Sequence, residues 1–196
     1  ELIYNKCMKQ LEEVRKEIDS IDRQIQELLM KRLDCSYQVA QFKKASGDRT
    51  IYRADREQAI LDQLGKAVDP DRRKEYLAVI RKIMETSRMY QYGLLYDWND
   101  DLFSPLVQHL TLPAMSKRIR LILTRKNQPN AMSSILSMIG DYGYNMDRMH
   151  LLEDNKQNNI VTFELIVLGN IQETNMRKLM VQLSMESMNF QMIECE

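Results

Sequence analysis

Apolar residues recur every three or four positions along the first part of the chain. The series comprises Leu11, Val14, Ile18, Ile21, Ile25, Leu28, Cys35, Val39 and Phe42. This spacing places them on one side of a helix and is typical of a seam that packs against other helices. The helix is predicted from residue 8 to residue 45, ending at Ser46-Gly47-Asp48. At 1.5 Å per residue it is about 57 Å long, so we expect a partner chain to cover it.

Two further helices follow the same pattern. One is predicted to begin near Asp55, capped by a pair formed by Asp55 and Gln58. The other begins at Asp69-Pro70, an N-cap residue followed by proline in the first helical position. The seam of this last helix repeats the three- and four-residue steps and comprises Leu77, Ile80, Met84, Ser87, Gln91, Leu94 and Trp98.

Four polar residues lie on or beside these seams. Arg32 continues the first seam, and Lys43 lies three turns later on the same face. A buried arginine is costly unless it meets an anion, so Arg32 either extends to solvent at the edge of the seam or pairs with a structural carboxylate. Alternatively, Arg32, Lys43, Ser87 and Gln91 line a pocket for a small dianion. Ser87 and Gln91, one turn apart, are equally compatible with a structural hydrogen bond.

The pattern changes after about residue 117 to short β-rich segments. Strands are predicted at 118–124, 144–153, 160–168 and 189–194, and helices at 130–142 and 172–186. The order βαββαβ is typical of a ferredoxin-like fold. Residues 99–116, which contain two prolines and an acidic cluster, are predicted to be a linker. The chain is therefore expected to have a helical domain at 1–98 and an α+β domain at 117–196.

Composition narrows the class of function. The 196 residues include 28 Lys and Arg against 28 Asp and Glu, so the formal net charge is zero. This balance argues against a nucleic-acid or membrane-surface binder, and neither a membrane span nor a signal peptide is recognised. Three scattered cysteines, Cys7, Cys35 and Cys195, indicate reduced thiols in the cytoplasm and no metal site. Two histidines leave little material for histidine-based catalysis.

In this order, the helical motifs resemble the all-helical class of chorismate mutase over residues 8–98. The resemblance is carried by segments LEEVRKEID at 11–19, LMKR at 29–32, VAQFK at 39–43, DRE at 55–57 and SRMYQ at 87–91. It implies an intertwined dimer of three-helix chains that rearranges chorismate to prephenate in phenylalanine and tyrosine biosynthesis. This intramolecular Claisen rearrangement requires no cofactor or metal.

The resemblance also assigns roles to residues. Arg15 and Arg32 are expected to bind the two carboxylates of chorismate with help from Ser87, while Lys43 and Gln91 donate to the ether oxygen. Arg15 precedes Arg32 by 17 residues, which is about 25 Å along a helix and too far for one side chain to bridge. We therefore expect a homodimer with two shared sites, each taking Arg15 from the other chain.

Arg56 and Glu57 are expected, by the same resemblance, to position the ring hydroxyl of chorismate, with Glu57 accepting from it. Without the resemblance they would be ordinary solvated charges in the first turn of a helix. One departure is Arg53, which stands where relatives often have aspartate. The loop at 46–52 is also a residue longer than in some relatives, so hydroxyl recognition is expected to differ and turnover to be reduced.

The second domain resembles an ACT domain, a small module that senses amino acids. In such domains the ligand site lies in the loop after the first strand, which assigns possible effector contacts to Gln128, Asn130 and Ala131. The loop lacks the glycine usual there, and by analogy the effector is phenylalanine or tyrosine. The alternative is a generic ferredoxin-like dimerisation module. The linker is too short to contain a prephenate dehydratase domain, so no dehydratase activity is expected.

Two other functions fit the same sequence. An isochorismate-pyruvate lyase uses the same helical scaffold and the same cations, although Glu57 argues against it because that lyase tends to have an apolar residue there. A catalytically weak binding module that regulates a partner enzyme is the other alternative, favoured by Arg53 and by the missing loop glycine.

Overall fold

The computed structural model describes residues 2–98 and 101–196, with side chains from residue 10 onward. Asn99 and Asp100 of the predicted linker lie outside the described residues, as does the side chain of Cys7. The chain divides into two compact units, Glu1–Gly47 and Asp48–Glu196.

The first unit is the helix α1, Leu2–Ser46. Its end is marked by Gly47, whose φ of 72° lies in the left-handed region that glycine adopts without strain. The helix predicted for residues 8–45 is therefore confirmed and begins six residues earlier. Its apolar seam is exposed in the single chain, with exposed fractions from 43% at Leu11 to 76% at Phe42.

The second unit begins with two helices, α2 at Ala54–Lys66 and α3 at Arg73–Trp98. The predicted cap formed by Asp55 and Gln58 is wrong, because Arg53 is the N-cap residue of α2 and Gln58 donates to Asp62 Oδ1 instead, at 2.8 Å. A short 3-10 turn at Pro70–Arg72 precedes α3, and the Asp69 side chain accepts from the backbone of Asp71 as predicted for an N-cap residue.

The rest of this unit is built on a four-stranded sheet. The elements in chain order are α4 (Ser104–Val107), β1 (Arg118–Lys126), α5 (Ala131–Asp141), β2 (Asn145–Asn155), β3 (Ile160–Leu168), α6 (Thr174–Met185) and β4 (Asn189–Cys195). All neighbouring strands are antiparallel in the order β2-β3-β1-β4. This strand order together with the βαββαβ succession confirms the ferredoxin-like fold.

Alternation along the two central strands produces the core. Leu121 of β1 lies opposite Leu165 of β3 and Met192 of β4, and all three side chains are fully buried. Phe103 and Val107, from the predicted linker, are buried in the same apolar cluster.

The second compact unit contains both α2 and α3 and the four-stranded sheet, because α3 is in contact with a helix that covers the sheet. Helix α3 packs on α6, so α2 and α3 cluster with the sheet. The predicted domain limits at 1–98 and 117–196, with a linker at 99–116, stay a prediction.

Candidate functional site

The three predicted cations of the first unit lie on one uninterrupted helix. Arg15 and Arg32 are exposed and Lys43 is half-buried. The Ser36 hydroxyl donates to the backbone carbonyl of Arg32 at 3.1 Å, one turn back along the helix. Because α1 is continuous through this region, Arg15 and Arg32 are separated by about 25 Å along its axis. The expectation that they serve one site only in a dimer stays a prediction.

Ser87 and Gln91 lie one turn apart on α3 and are both buried, at 6% and 9% exposed. The Gln91 amide donates from Nε2 to the backbone carbonyl of Ser87 at 3.3 Å. Its Oε1 is buried without a hydrogen-bond partner among the described residues. Buried polar atoms are nearly always paired, so this amide retains unused hydrogen-bonding capacity.

Glu57 and Arg56, in the first turn of α2, differ in exposure and in partners. The side chain of Arg56 is exposed, whereas that of Glu57 is 23% exposed and meets Arg88 of α3. Arg88 Nη1 donates to both carboxylate oxygens of Glu57 at 2.6 Å. The second unit thus brings Glu57 against the helix that carries Ser87 and Gln91.

Arg88 joins this cluster, although the sequence analysis did not single it out. Its Nε donates to Glu186 Oε1 at 2.9 Å, and its guanidinium lies over the Tyr52 ring at 4.7 Å from the centroid. Glu186 in turn lies 4.0 Å from Arg125 Nη2, and Arg125 Nη1 donates to the Ser134 hydroxyl at 2.9 Å. The only local signal was an arginine next to a polar seam position, which is usually a solvated charge.

Two arginines and two glutamates therefore balance their charges in one cluster. Arg88, Arg125 and Glu186 are buried, and Glu57 is partly exposed. Burial alone would lower the pKa of Arg88, but Glu186 and Glu57 outweigh it and raise that pKa, so Arg88 stays charged. Burial dominates at Arg125 and lowers the pKa of its guanidinium despite Glu186. Burial disfavours the charged form of either group, so it raises the pKa of the Tyr52 hydroxyl.

The predicted effector loop lies between β1 and α5. Gln128 and Asn130 are exposed, and Ala131, the first residue of α5, is half-buried. Asn130 has a φ of 71°, so asparagine, which tolerates the left-handed region better than most residues, adopts a conformation that glycine usually supplies. The absence of a loop glycine therefore does not prevent a left-handed turn here. Binding of an effector stays a prediction.

Neither a metal site nor a membrane span emerges from the described part of the chain. No cluster of three His, Cys, Asp or Glu side chains there could hold a metal ion. No helix there combines the length and the apolar character needed to cross a bilayer.

Residues 14–92 match the family model of chorismate mutase type II. This match covers 79 of the 196 residues and confirms the resemblance predicted for the helical part. The matched range includes all seven predicted substrate-site residues, namely Arg15, Arg32, Lys43, Arg56, Glu57, Ser87 and Gln91.

Solved structures similar to this chain include GqqA, described as a novel type of quorum quenching acylase, with 23% identity and a TM-score of 0.38. That match covers 42% of this chain and 43% of GqqA. Another is a prephenate dehydratase from Arthrobacter aurescens in complex with L-Phe, with 14% identity and a TM-score of 0.40. It covers 44% of this chain and 29% of the dehydratase, so the chain spans less than half of either protein. No curated protein matches the chain significantly.

We expect Arg88→Ala to lower the free energy of unfolding by about 3–5 kcal/mol, because removing its nearest cation leaves a buried carboxylate poorly compensated. The stranded partner is Glu186, whose side chain is 1% exposed. Urea denaturation followed by circular dichroism measures the change. Arg53→Ala is the control, since it breaks an ion pair with Asp48 that is open to solvent, and we expect its unfolding midpoint to be unchanged. Equal midpoints for the two variants would contradict the prediction.

Proposed function

We propose that this protein is a chorismate mutase that converts chorismate to prephenate. The observation that carries the proposal is the family match over residues 14–92, within which every predicted substrate-site residue lies. The buried Ser87 and Gln91 support it, because the Gln91 amide nitrogen carries two hydrogens and donates one of them to the Ser87 carbonyl, so a second donor remains for a polar ligand.

The proposed chemistry is an intramolecular Claisen rearrangement, which needs no nucleophile. The enzyme must hold a flexible substrate in its reactive conformation, and we assign this task to Arg15, Arg32 and Ser87 through the two carboxylates. It must also stabilise the ether oxygen as negative charge develops during C–O cleavage. Lys43 and Gln91 are the proposed donors to that oxygen.

Glu57 is the proposed acceptor for the ring hydroxyl of chorismate, with Arg56 beside it. The carboxylate is partly exposed and held by Arg88 from one side, which leaves acceptor capacity for a ligand. Arg53, the departure from the family pattern, pairs with Asp48 at 2.7 Å. Its charge is therefore already matched by a carboxylate other than Glu57.

We also propose a homodimer in which each chain lends Arg15 to the site of the other. The support is the apolar seam of α1, whose side chains from Leu11 to Phe42 remain exposed in a single chain. A contiguous apolar surface of this extent favours association. A cytoplasmic location is part of the proposal, since Cys35 and Cys195 are both free thiols.

The ferredoxin-like domain is proposed to be an ACT-like regulatory module that binds phenylalanine or tyrosine at Gln128, Asn130 and Ala131. The test is the rate of chorismate loss with and without each amino acid. We expect at least one of them to change the rate, and unchanged rates with both would exclude these two as effectors.

The activity itself is tested by the loss of chorismate absorbance, with prephenate as product. We expect Gln91→Glu to make this activity strongly pH-dependent. An amide donates at every pH, whereas a carboxyl donates only when protonated, so the rate should fall about tenfold per pH unit above the pKa of the new side chain.

The control for this prediction is Gln91→Leu, which removes the donor and should be slow at every pH. A flat pH profile for Gln91→Glu would contradict the assigned role of Gln91, and no chorismate loss with the unmodified chain would overturn the mutase assignment. Pyruvate release from isochorismate by the unmodified chain would favour the lyase instead.

Shared sites are tested with hybrids of Arg15→Ala and Lys43→Ala chains, each inactive alone. In a hybrid dimer one site carries both changes and the other carries neither. Equal mixing should therefore restore about a quarter of the wild-type activity, because half of the dimers are hybrids with one intact site. The two variants are mixed while unfolded and are then refolded together to form hybrid dimers. Variants refolded separately provide the control. Activity no higher than in the controls would contradict sharing.

A further inference from the structure

Arg88 joins two carboxylates that are far apart in the chain. Its Nη1 bonds both oxygens of Glu57 at 2.6 Å, and its Nε bonds Glu186 at 2.9 Å. Glu57 precedes Arg88 by 31 residues and Glu186 follows it by 98. A guanidinium is planar and rigid, so the bond from Nε to Glu186 also fixes the direction in which Nη1 points.

Glu186 occupies a position that is unfavourable for a carboxylate. It is the C-cap residue of α6, and its side chain is 1% exposed. The C-terminus of a helix carries partial negative charge and disfavours an anion. Three groups offset this cost, namely Arg88, the Gln182 amide at 3.1 Å and Arg125 at 4.0 Å. A buried acid at this point is therefore sustained by its partners and not by local helix preferences.

We propose that Arg88 is a positioning residue for Glu57, held in place by Glu186 of the ferredoxin-like domain. This inference rests on the proposed function, because it concerns the carboxylate assigned to the ring hydroxyl of chorismate. Arg88 contacts the substrate nowhere in this scheme; it orients the acceptor. The position of Glu57, the proposed hydroxyl-binding carboxylate, thus depends on Glu186 of the ferredoxin-like domain.

The orientation of Glu57 matters because its partner on the substrate is a single hydroxyl. Both carboxylate oxygens are anchored on the Arg88 side, and 23% of the side chain remains exposed. Each oxygen has lone-pair capacity beyond one bond, so the exposed edge stays available to a donor. Without Arg88 the side chain would be free to rotate among rotamers, and hydroxyl binding would carry that entropy cost.

A purely structural role for Arg88 would be to fasten α3 to α6. The chain contains a second ion pair between the same two helices, Lys178 with Asp97 at 2.8 Å. That pair includes neither Glu57 nor any other predicted substrate-site residue. Asp97→Asn therefore serves as a control for Glu186→Gln, since each change neutralises one carboxylate of an α3–α6 pair. The Asp97 side chain is 52% exposed, whereas that of Glu186 is 1% exposed.

The experiment is a double-mutant cycle on the 196-residue chain, read as KM and kcat for chorismate. If the unmodified chain shows no turnover, calorimetry measures whether it binds chorismate. Glu186→Gln and Arg88→Lys are each combined with Glu57→Gln. We expect each single change to raise KM about 3- to 10-fold with kcat little changed, because the hydroxyl contact is made in both ground and transition states. In the Glu57→Gln background we expect no further increase. Asp97→Asn should change KM less than twofold in either background.

Three results would overturn the positioning role: an unchanged KM in both Glu186→Gln and Arg88→Lys, an increase of the same size in the Glu57→Gln background, or an equal increase in Asp97→Asn. Each of these leaves the mutase assignment intact. Absence of both turnover and chorismate binding in the unmodified chain would overturn the proposed function and this inference with it. Circular dichroism of every variant separates loss of folding from loss of positioning, and Arg88→Lys retains the charge if Glu186→Gln does not fold.

Discussion

Arg88 places a positive charge in the interior of the second unit, where an unpaired ion would be very costly. The charge is tolerated because Glu57 and Glu186 meet it from two sides. These contacts join the start of α2, the middle of α3 and the end of α6. Helices α2 and α3 and the ferredoxin-like domain belong to one compact unit, Asp48–Glu196, although the sequence pattern changes sharply at about residue 100.

Much of the architecture followed from local pattern. Three- and four-residue steps predicted the long helices of the first part, and short β-rich segments predicted the four strands of the ferredoxin-like fold. The burial of Ser87 and Gln91 was also apparent from their seam positions. Such inferences work because the period of burial is a property of the element itself.

The role of Arg88 could not be predicted, because it depends on partners distant in the sequence. Nothing near Arg88 distinguishes it from a solvated charge, because its second carboxylate lies 98 residues further on. The predicted capping of α2 was wrong for a related reason. Asp55 has the right chemistry for an N-cap residue, but the N-cap lies two residues earlier, at Arg53, and the helix begins at Ala54. Local chemistry permits several starting points for a helix, so the sequence alone did not identify the N-cap residue.

Helix α1 has a consequence for how the sequence can change. Its apolar seam and the cations at Arg15, Arg32 and Lys43 share one continuous helix, so their relative directions are set by residue count alone. One inserted residue would turn everything beyond it by about 100° and shift it by about 1.5 Å. An insertion or deletion within α1 would therefore change the relative directions of these side chains, whereas a substitution would leave them unchanged.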